Sequence, residues 1–422
     1  MQKTNIKNSF LVFILFNILF VIFYLNLKHT VANDSSISEW LINYQGGFTR
    51  RGFGGELAIV LSNLFDASLR KSIFLIQTTI HVSYLLLLYF YFKNLKLNIL
   101  QLFALYAPIF LLYPIAELEV LGRKEIILFL FFLTIIFFGG RKHDGKIIDK
   151  LIFFVSPIVC LIWEELVLFF PFFAAVLIIK HNIKTFKEVF KKLIVVFFPA
   201  IITFVYIFIT PLSESGHQAM CGFLKDEFGE QCYMSASMLI TSTIHFDTLW
   251  IHNNAHLEHY LRYVLIFLIG FLPLNILFSQ NNFIKNDNFI SKNFRLNTLF
   301  YILYLPSLLL FMFGYDWGRW INITYTFTIL LYIYLLKNKL ITNDLKFKNL
   351  ILNKTIKNKI IISFIFIIFA FCWNPKTVIT GDIATNSLYK IFYNTSKKVF
   401  NFNGIRLFQD NPLIKFHKNY IE

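Results

Sequence analysis

Three short motifs place arginine beside glycine and acidic residues: Arg50-Arg51-Gly52 within the glycine-rich run 43–56, Gly122-Arg123-Lys124-Glu125, and Asp316-Trp317-Gly318-Arg319-Trp320. Arginine offers a planar fork of donors that fits phosphate or carboxylate. Glycine lets a backbone bend and lets a ligand come close. A carboxylate nearby can hold the guanidinium or move a proton. Asp316 and Arg319 stand three residues apart and can pair across one helical turn. Trp317 and Trp320 have the shape to stack on a sugar ring, and equally the amphipathic character of interfacial anchors. A fourth acidic feature, Glu164-Glu165, interrupts an apolar stretch. A carboxylate held among apolar residues has a raised pKa and suits acid–base work, whereas a solvated hairpin tip would make the pair inert. Glu56 closes the first motif and serves either as a further acid or as a counter-charge for its arginines.

The elements that must position these groups are membrane helices. Apolar residues are 57% of the 422-residue chain and charged residues 15%, with a mean hydropathy of +0.61. Too little charge remains to coat a soluble domain of this length, which places the chain in a bilayer. The run 10–27 follows Lys3 and Lys7, exceeds a signal-peptide core and lacks a small-residue cleavage site, so it reads as a retained first span. Further apolar runs lie near 73–92, 99–115, 126–138, 193–210, 260–279, 298–313, 321–336 and 360–373. The segment 151–179 has basic loops on both sides, so it must enter and return as a short hairpin with Glu164 and Glu165 at its tip. The fold class is all-α, a polytopic transmembrane bundle of about eleven membrane segments, each needing about 17–25 residues.

Charge sets the orientation. Residues 1–8, 93–98, 139–150, 180–192, 281–297 and 337–359 hold 23 of the 40 Lys and Arg but 5 of the 24 Asp and Glu. These segments are therefore expected on the cytoplasmic side, with the N-terminus inside and the C-terminus outside. The basic excess is a topology signal that suits anionic lipid, and no nucleic-acid motif accompanies it. The chain reads as one integral membrane domain, 1–422, with an outer loop 28–72 carrying an interfacial helix near 53–66, an outer loop 211–259 and an outer tail 374–422. All the arginine motifs and the acidic pair then share one side.

Other candidates are weaker. His252, His256 and His259 would share a helix face, but the spacing is no HExxH and no metal is assigned. Cys221 and Cys232 lie in an outer loop where an oxidising compartment would pair them. Walker, dinucleotide-binding and nucleophile-elbow patterns are absent, so no cofactor is expected.

With this architecture, and with GGFTRRGFGGE, GRKE and YDWGRW on the outer side, the chain resembles bacterial multi-span envelope-polysaccharide proteins. These are the O-antigen-polymerase-like group and the wider C-type glycosyltransferase superfamily. The resemblance implies a cytoplasmic-membrane protein acting outside on a polyprenyl-phosphate-linked sugar. C-type enzymes place a catalytic acid, often one of a pair, in the first outer loop, where this chain has only the separated Asp34, Glu39 and Glu56. On this reading Arg50, Arg51, Arg123 and Arg319 hold the carrier phosphate, with Trp317 and Trp320 against the sugar. One of Glu56, Glu164, Glu165 or Asp316 activates the acceptor hydroxyl. The alternatives are a transporter or flippase for an anionic or lipid-linked substrate, which would show related halves and broken helices, and a non-catalytic membrane scaffold. A further expectation is that Asp316 holds one side of Arg319 and leaves its remaining donors to a ligand in a polar, water-accessible cavity.

Overall fold

A computed structural model describes residues 4–5, 7–30, 35–140, 145–232, 234–237, 239–240, 249–251, 253–284, 287–343, 358–381, 395 and 399. Their structure is almost wholly helical; the described strands are one two-residue pair, Thr4–Asn5 with Lys96–Leu97. The helices used below are α1 (Lys7–Thr30), α2 (Ser35–Leu41), α3 (Gly52–Phe65), α4 (Leu69–Phe92), α5 (Ile99–Leu105), α6 (Glu125–Gly139), α7 (Lys146–Ile162), α8 (Phe170–Lys180), α9 (Phe186–Ile209), α10 (Glu214–Phe228), α11 (Leu257–Gln280), α12 (Leu296–Tyr304), α13 (Leu308–Phe313), α14 (Trp317–Lys337) and α15 (Lys359–Phe371).

Five of these, α1, α4, α9, α11 and α14, are long and apolar enough to cross a membrane, and α3, α6 and α15 are shorter apolar helices. The short helix expected near 53–66 is α3. The break expected at Trp163-Glu164-Glu165 is also present: α7 ends at Ile162, a 3-10 turn runs Glu164–Phe169, and α8 begins at Phe170.

Two apolar runs depart from the expectation of one helix each. The run 99–115 stops at Leu105 and resumes as one turn, Tyr113–Ala116. The run 298–313 is divided between α12 and α13. Pro108 and Pro306 account for both, because proline lacks the N–H the helix needs; Leu305, just before Pro306, itself keeps α geometry.

α14 is the axis of the bundle. Every residue from 318 to 335 is buried, so the helix is enclosed by its neighbours on all sides. Its polar side chains bond to neighbouring segments rather than to solvent. Asn322 Nδ2 donates to Ile109 O at 2.9 Å, and the Tyr325 hydroxyl donates to Ala104 O at 2.9 Å. These bonds fasten the irregular segment after α5 to the axis.

The connections fall into two groups. Segments expected outside meet one another: Ser235 Oγ donates to Ser38 Oγ at 2.8 Å, Gly318 N donates to Thr377 O at 3.0 Å, and Lys376 approaches Glu117 at 3.4 Å. Gly46 lies so close to the Gly216 carbonyl that any β-carbon there would collide with it. Segments expected inside meet one another too. His181 pairs with Asp149 at 2.8 Å, Phe289 N donates to Ile183 O at 2.7 Å, and Lys337 Nζ donates to Tyr91 O at 2.8 Å. The α14 axis separates the two groups by about 30 Å at 1.5 Å per residue.

Residues 146 and 187 share one end and residue 225 lies at the other. In membranes, Lys146→Cys and Lys187→Cys are expected to react with an impermeant thiol reagent from the same side, and Lys225→Cys from the opposite side. Labelling of 146 and 187 from opposite sides would undo the hairpin assignment.

Candidate functional site

The expected outer motifs converge on a buried ion network. Arg319 stands in the first turn of α14, 5% exposed, and its guanidinium pairs with Glu125 and Asp316, with Glu39 at 3.8 Å. Glu39, on α2, also pairs with Arg123. Three carboxylates from three chain segments thus enclose two guanidinium groups. The ring faces near Arg319 belong to Trp163, 5.7 Å away, and Trp320, 5.2 Å away. These two indoles stack with centroids 6.3 Å apart.

A second set adjoins the first. Arg51 Nε donates to both oxygens of Glu164 at 3.1 and 3.0 Å, and Nη2 donates to Glu165 at 2.9 Å. Arg50 lies 3.6 Å from Glu164. Arg51 has φ +63°, a left-handed conformation that is uncommon outside glycine, and it is the residue that opens α3. Its carbonyl accepts a bond from Lys124 Nζ at 2.7 Å. Lys124 is 1% exposed and runs beneath α3, 5.6 Å over the Trp40 ring. Gly54 lies against the Trp40 ring so closely that a β-carbon there would press on it. The GRKE motif therefore contributes all three of its charged residues. Arg123 reaches Glu39, Glu125 reaches Arg319, and Lys124 joins the two sets.

Environment divides the titrating groups. Burial opposes the charge on Glu39, but Arg123 and then Arg319 outweigh it and hold its carboxyl down at about 2. Burial also opposes the charge on Glu164 at the hairpin tip, and Arg51 and Arg50 outweigh it there, leaving Glu164 below the usual range. For Glu165 the balance reverses. Burial pushes it up to about 8, against Arg51 and with help from Glu164. One guanidinium shared by two neighbouring carboxyls ionises one of them readily and the other late. Burial pushes the Lys124 ammonium down to about 7, with Glu39 pulling the other way.

The residues expected to act are not equally placed. Arg50, Arg51, Glu164 and Glu165 come together, and Arg123, Arg319 and Asp316 form the adjoining set. The expectation that Arg319 keeps donors for a ligand does not hold in this structure, because Glu125 takes the donors that Asp316 leaves. Trp320, 6% exposed, has its neighbourhood filled by Trp163 and Arg319, so no open sugar-stacking face remains. Trp317 meets the edges of Tyr260, Tyr263 and Phe311. Glu56 stands apart from the network: it accepts from Tyr44 N at 3.1 Å and from Gln45 Nε2 at 3.1 Å, bracing the 43–47 turn.

Glu39, which looked isolated in the sequence, joins both arginines. Its only sequence signal was its place in the first outer loop.

Cys221 and Cys232 form the expected disulfide. The grouping of His217 with these cysteines resembles a ligand set, but the disulfide occupies both sulfurs. His252 lies outside the described residues. His256 and His259 cap α11 locally, the His256 amide donating to His259 Nδ1 at 2.9 Å.

Comparison with known proteins gives no match: no family model, no curated protein and no solved structure is significantly similar to this chain.

Removing one partner of a buried charge network leaves the others uncompensated, which costs about 3–5 kcal/mol. Glu39→Gln is expected to lower stability on that scale in detergent, while Glu56→Gln costs about 1 kcal/mol or less. Because the folded pKa of Glu39 is depressed, its contribution is present above about 4.5 and is lost as pH falls toward about 2. The gap between wild type and Glu39→Gln should narrow through that window. A gap that is absent at neutral pH would contradict the network.

Proposed function

We propose that the protein transfers or polymerises glycosyl units carried on polyprenyl phosphate, at the outer face of a bacterial cytoplasmic membrane, in envelope-polysaccharide synthesis. On this reading the N-terminus is cytoplasmic and about eleven segments cross or enter the bilayer, the broken runs 99–116 and 296–313 among them. The observation that carries the proposal is the meeting of Arg50 and Arg51 with Glu164 and Glu165 beside an enclosed network built from the other expected outer segments.

Exposure assigns the roles. The side chains of Arg50 and Arg51 are 24% and 19% exposed and that of Glu165 is 17% exposed. Those of Arg123, Glu39, Arg319 and Glu125 are 5–8% exposed. The exposed group is the one a ligand reaches first. Arg50 and Arg51 hold the carrier phosphate with forked donors, and their charge stabilises the phosphate as it departs. Glu165 accepts the proton of the acceptor hydroxyl. The hydroxyl oxygen bonds to the anomeric carbon, whose bond to the phosphate oxygen breaks, and the phosphate leaves with that electron pair. A carboxyl held near 8 stands close to working pH, which suits proton exchange in both directions. The Arg123–Glu39–Arg319–Glu125–Asp316 set positions this front.

The interrupted runs at Pro108 and Pro306 favour a second reading, a transporter of anionic or lipid-linked substrates, since broken helices are common there.

Cells carrying Arg50→Ala, Arg51→Lys or Glu165→Gln are expected to make surface glycan with shortened chains or at least tenfold less of it, with normal protein levels. Glu165→Gln keeps an acceptor for Arg51, so its loss reports on the proton and not on folding. Unchanged glycan in all three would defeat the proposal. Accumulation of unpolymerised lipid-linked sugar on the inner leaflet would select the transport reading.

A further inference from the structure

Directly beneath Arg319 lies a cavity of about 60 Å³ that the role of Arg50, Arg51 and Glu165 leaves unused. Its walls come from α1, α4, α6, α14 and the segment after α5. Most of the lining is apolar, but Asn17, His81, Glu125, Arg319, Asn322 and Thr326 also face it. Arg319, Asn322 and Thr326 repeat at helical spacing, so a polar strip runs down one side of α14 into the bundle.

The polar atoms facing the cavity include acceptors and donors. Asn17 Nδ2 donates to Phe13 O and Asn322 Nδ2 to Ile109 O, which leaves their amide oxygens for the cavity. His81 Nδ1 bonds to Gln77 O at 2.9 Å. A carbonyl only accepts, so Nδ1 carries the hydrogen and Nε2 of the neutral ring is an acceptor. Glu125 places one oxygen on Arg319, while its Oε2 is buried and has no protein partner. The donors of Arg319 are taken up by carboxylates. A ligand here meets acceptors on Glu125 and His81 and donors on the asparagine amides and the Thr326 and Tyr84 hydroxyls, the mixture that suits water.

Charge gives the second argument. Glu39, Glu125 and Asp316 make their ion pairs with Arg123 and Arg319, and Glu39 also feels the charges of Arg51 and Lys124. The Lys124 ammonium is bonded to the Arg51 carbonyl and acts on Glu39 and Glu164, not by contact on Glu125. Arg50 and Arg51 are engaged by Glu164 and Glu165. The other titratable groups around Glu125 are Glu165, which feels its charge, Tyr84 and His81 across the cavity, and Tyr113 beside Gly318. None of them supplies a standing positive charge without taking up a proton. Of the three carboxylates, Glu39 is shared by two arginines and Asp316 is the most exposed. Glu125 has one arginine and one bare buried oxygen.

We propose that this cavity is a hydrated proton-binding site, in which water is the ligand, Glu125 Oε2 carries one proton, and His81 Nε2 accepts from the water at the opposite wall. The volume is ample for water, and the polar atoms around it provide the partners that buried water needs. A proton from solvent is relayed by that water, which gives one hydrogen to Oε2 and takes up another in its place, while Oε1 stays on Arg319. Glu125 then stands neutral beside Arg319, which keeps Asp316 as an ionised partner. The site stands independently of the glycosyl-transfer reading.

Infrared difference spectra of the purified full-length protein in detergent, taken between acid and alkaline pH in H2O and D2O, test this. Wild type is expected to show the carbonyl band of a protonated carboxyl that shifts in D2O. Glu165 contributes its own component, identified by its loss in Glu165→Gln; the remaining band should vanish in Glu125→Gln and move in His81→Phe, which removes the acceptor at the far wall. Should Glu125→Gln not fold, Glu125→Asp keeps a carboxyl and should move the band. Absence of that remaining band in wild type, its persistence in Glu125→Gln, an unmoved band in Glu125→Asp, or a band indifferent to both D2O and His81→Phe would each overturn the proposal.

Discussion

The enclosure of Arg319 by Glu39, Glu125 and Asp316 is the constraint on which the rest of the outer end depends. A guanidinium at 5% exposure inside an apolar bundle is tolerable only when its donors meet acceptors of opposite charge. Those acceptors come from α2, from the start of α6 and from the turn before α14, segments far apart in the chain. Folding must therefore bring all three together, and none can drift without exposing a charge to an apolar interior. Arg123 repeats the demand on Glu39 from the other side. The network adds little net stability compared with an apolar core of similar volume. What it adds is specificity, because few arrangements of these segments satisfy every charge.

That specificity extends outward. Lys124 sits between Arg123 and Glu125 in sequence, so its backbone is held on both sides by the network. Its ammonium is thereby delivered to the Arg51 carbonyl, which holds Arg51 in a conformation that side chains seldom adopt. That conformation turns the guanidinium toward Glu164 and Glu165. The hairpin tip, the glycine-rich loop and the α14 entry thus form one mechanical unit. Trp163 links them again, next to Glu164 in sequence and stacked on Trp320 in space.

Local signals in the sequence were legible. The Asp316–Arg319 pair followed from helical spacing, the hairpin break from two glutamates between apolar arms, and the short α3 from an apolar run below spanning length. The grouping of loops at two ends followed from the distribution of lysine and arginine. What escaped was long-range. Glu39 carries no local mark, and its partners lie 84 residues away at Arg123 and, farther still, at Arg319. The same blindness left Arg319 with apparently free donors, since Glu125 is 194 residues distant. The interruptions at Pro108 and Pro306 are a different matter. The prolines were visible, but average hydropathy across each run is blind to a missing N–H.

The network sorts itself into an enclosed part and an open part, and the division bears on chemistry. Groups that are fully paired and buried can resist motion but cannot readily exchange a proton or a ligand. Groups at the edge of the same field keep its electrostatics and remain reachable. Glu165 has this position: it shares Arg51 with Glu164, carries an unpartnered oxygen, and titrates late because burial and its neighbour disfavour a second charge. Arg50 and Arg51 are basic at the same edge. A phosphate arriving there would meet two guanidinium groups already oriented by carboxylates, with little side-chain entropy left to lose. Preorganisation of this kind requires an enclosed set behind an open one, which is why the residues least able to touch a substrate are the ones that make the reachable site specific.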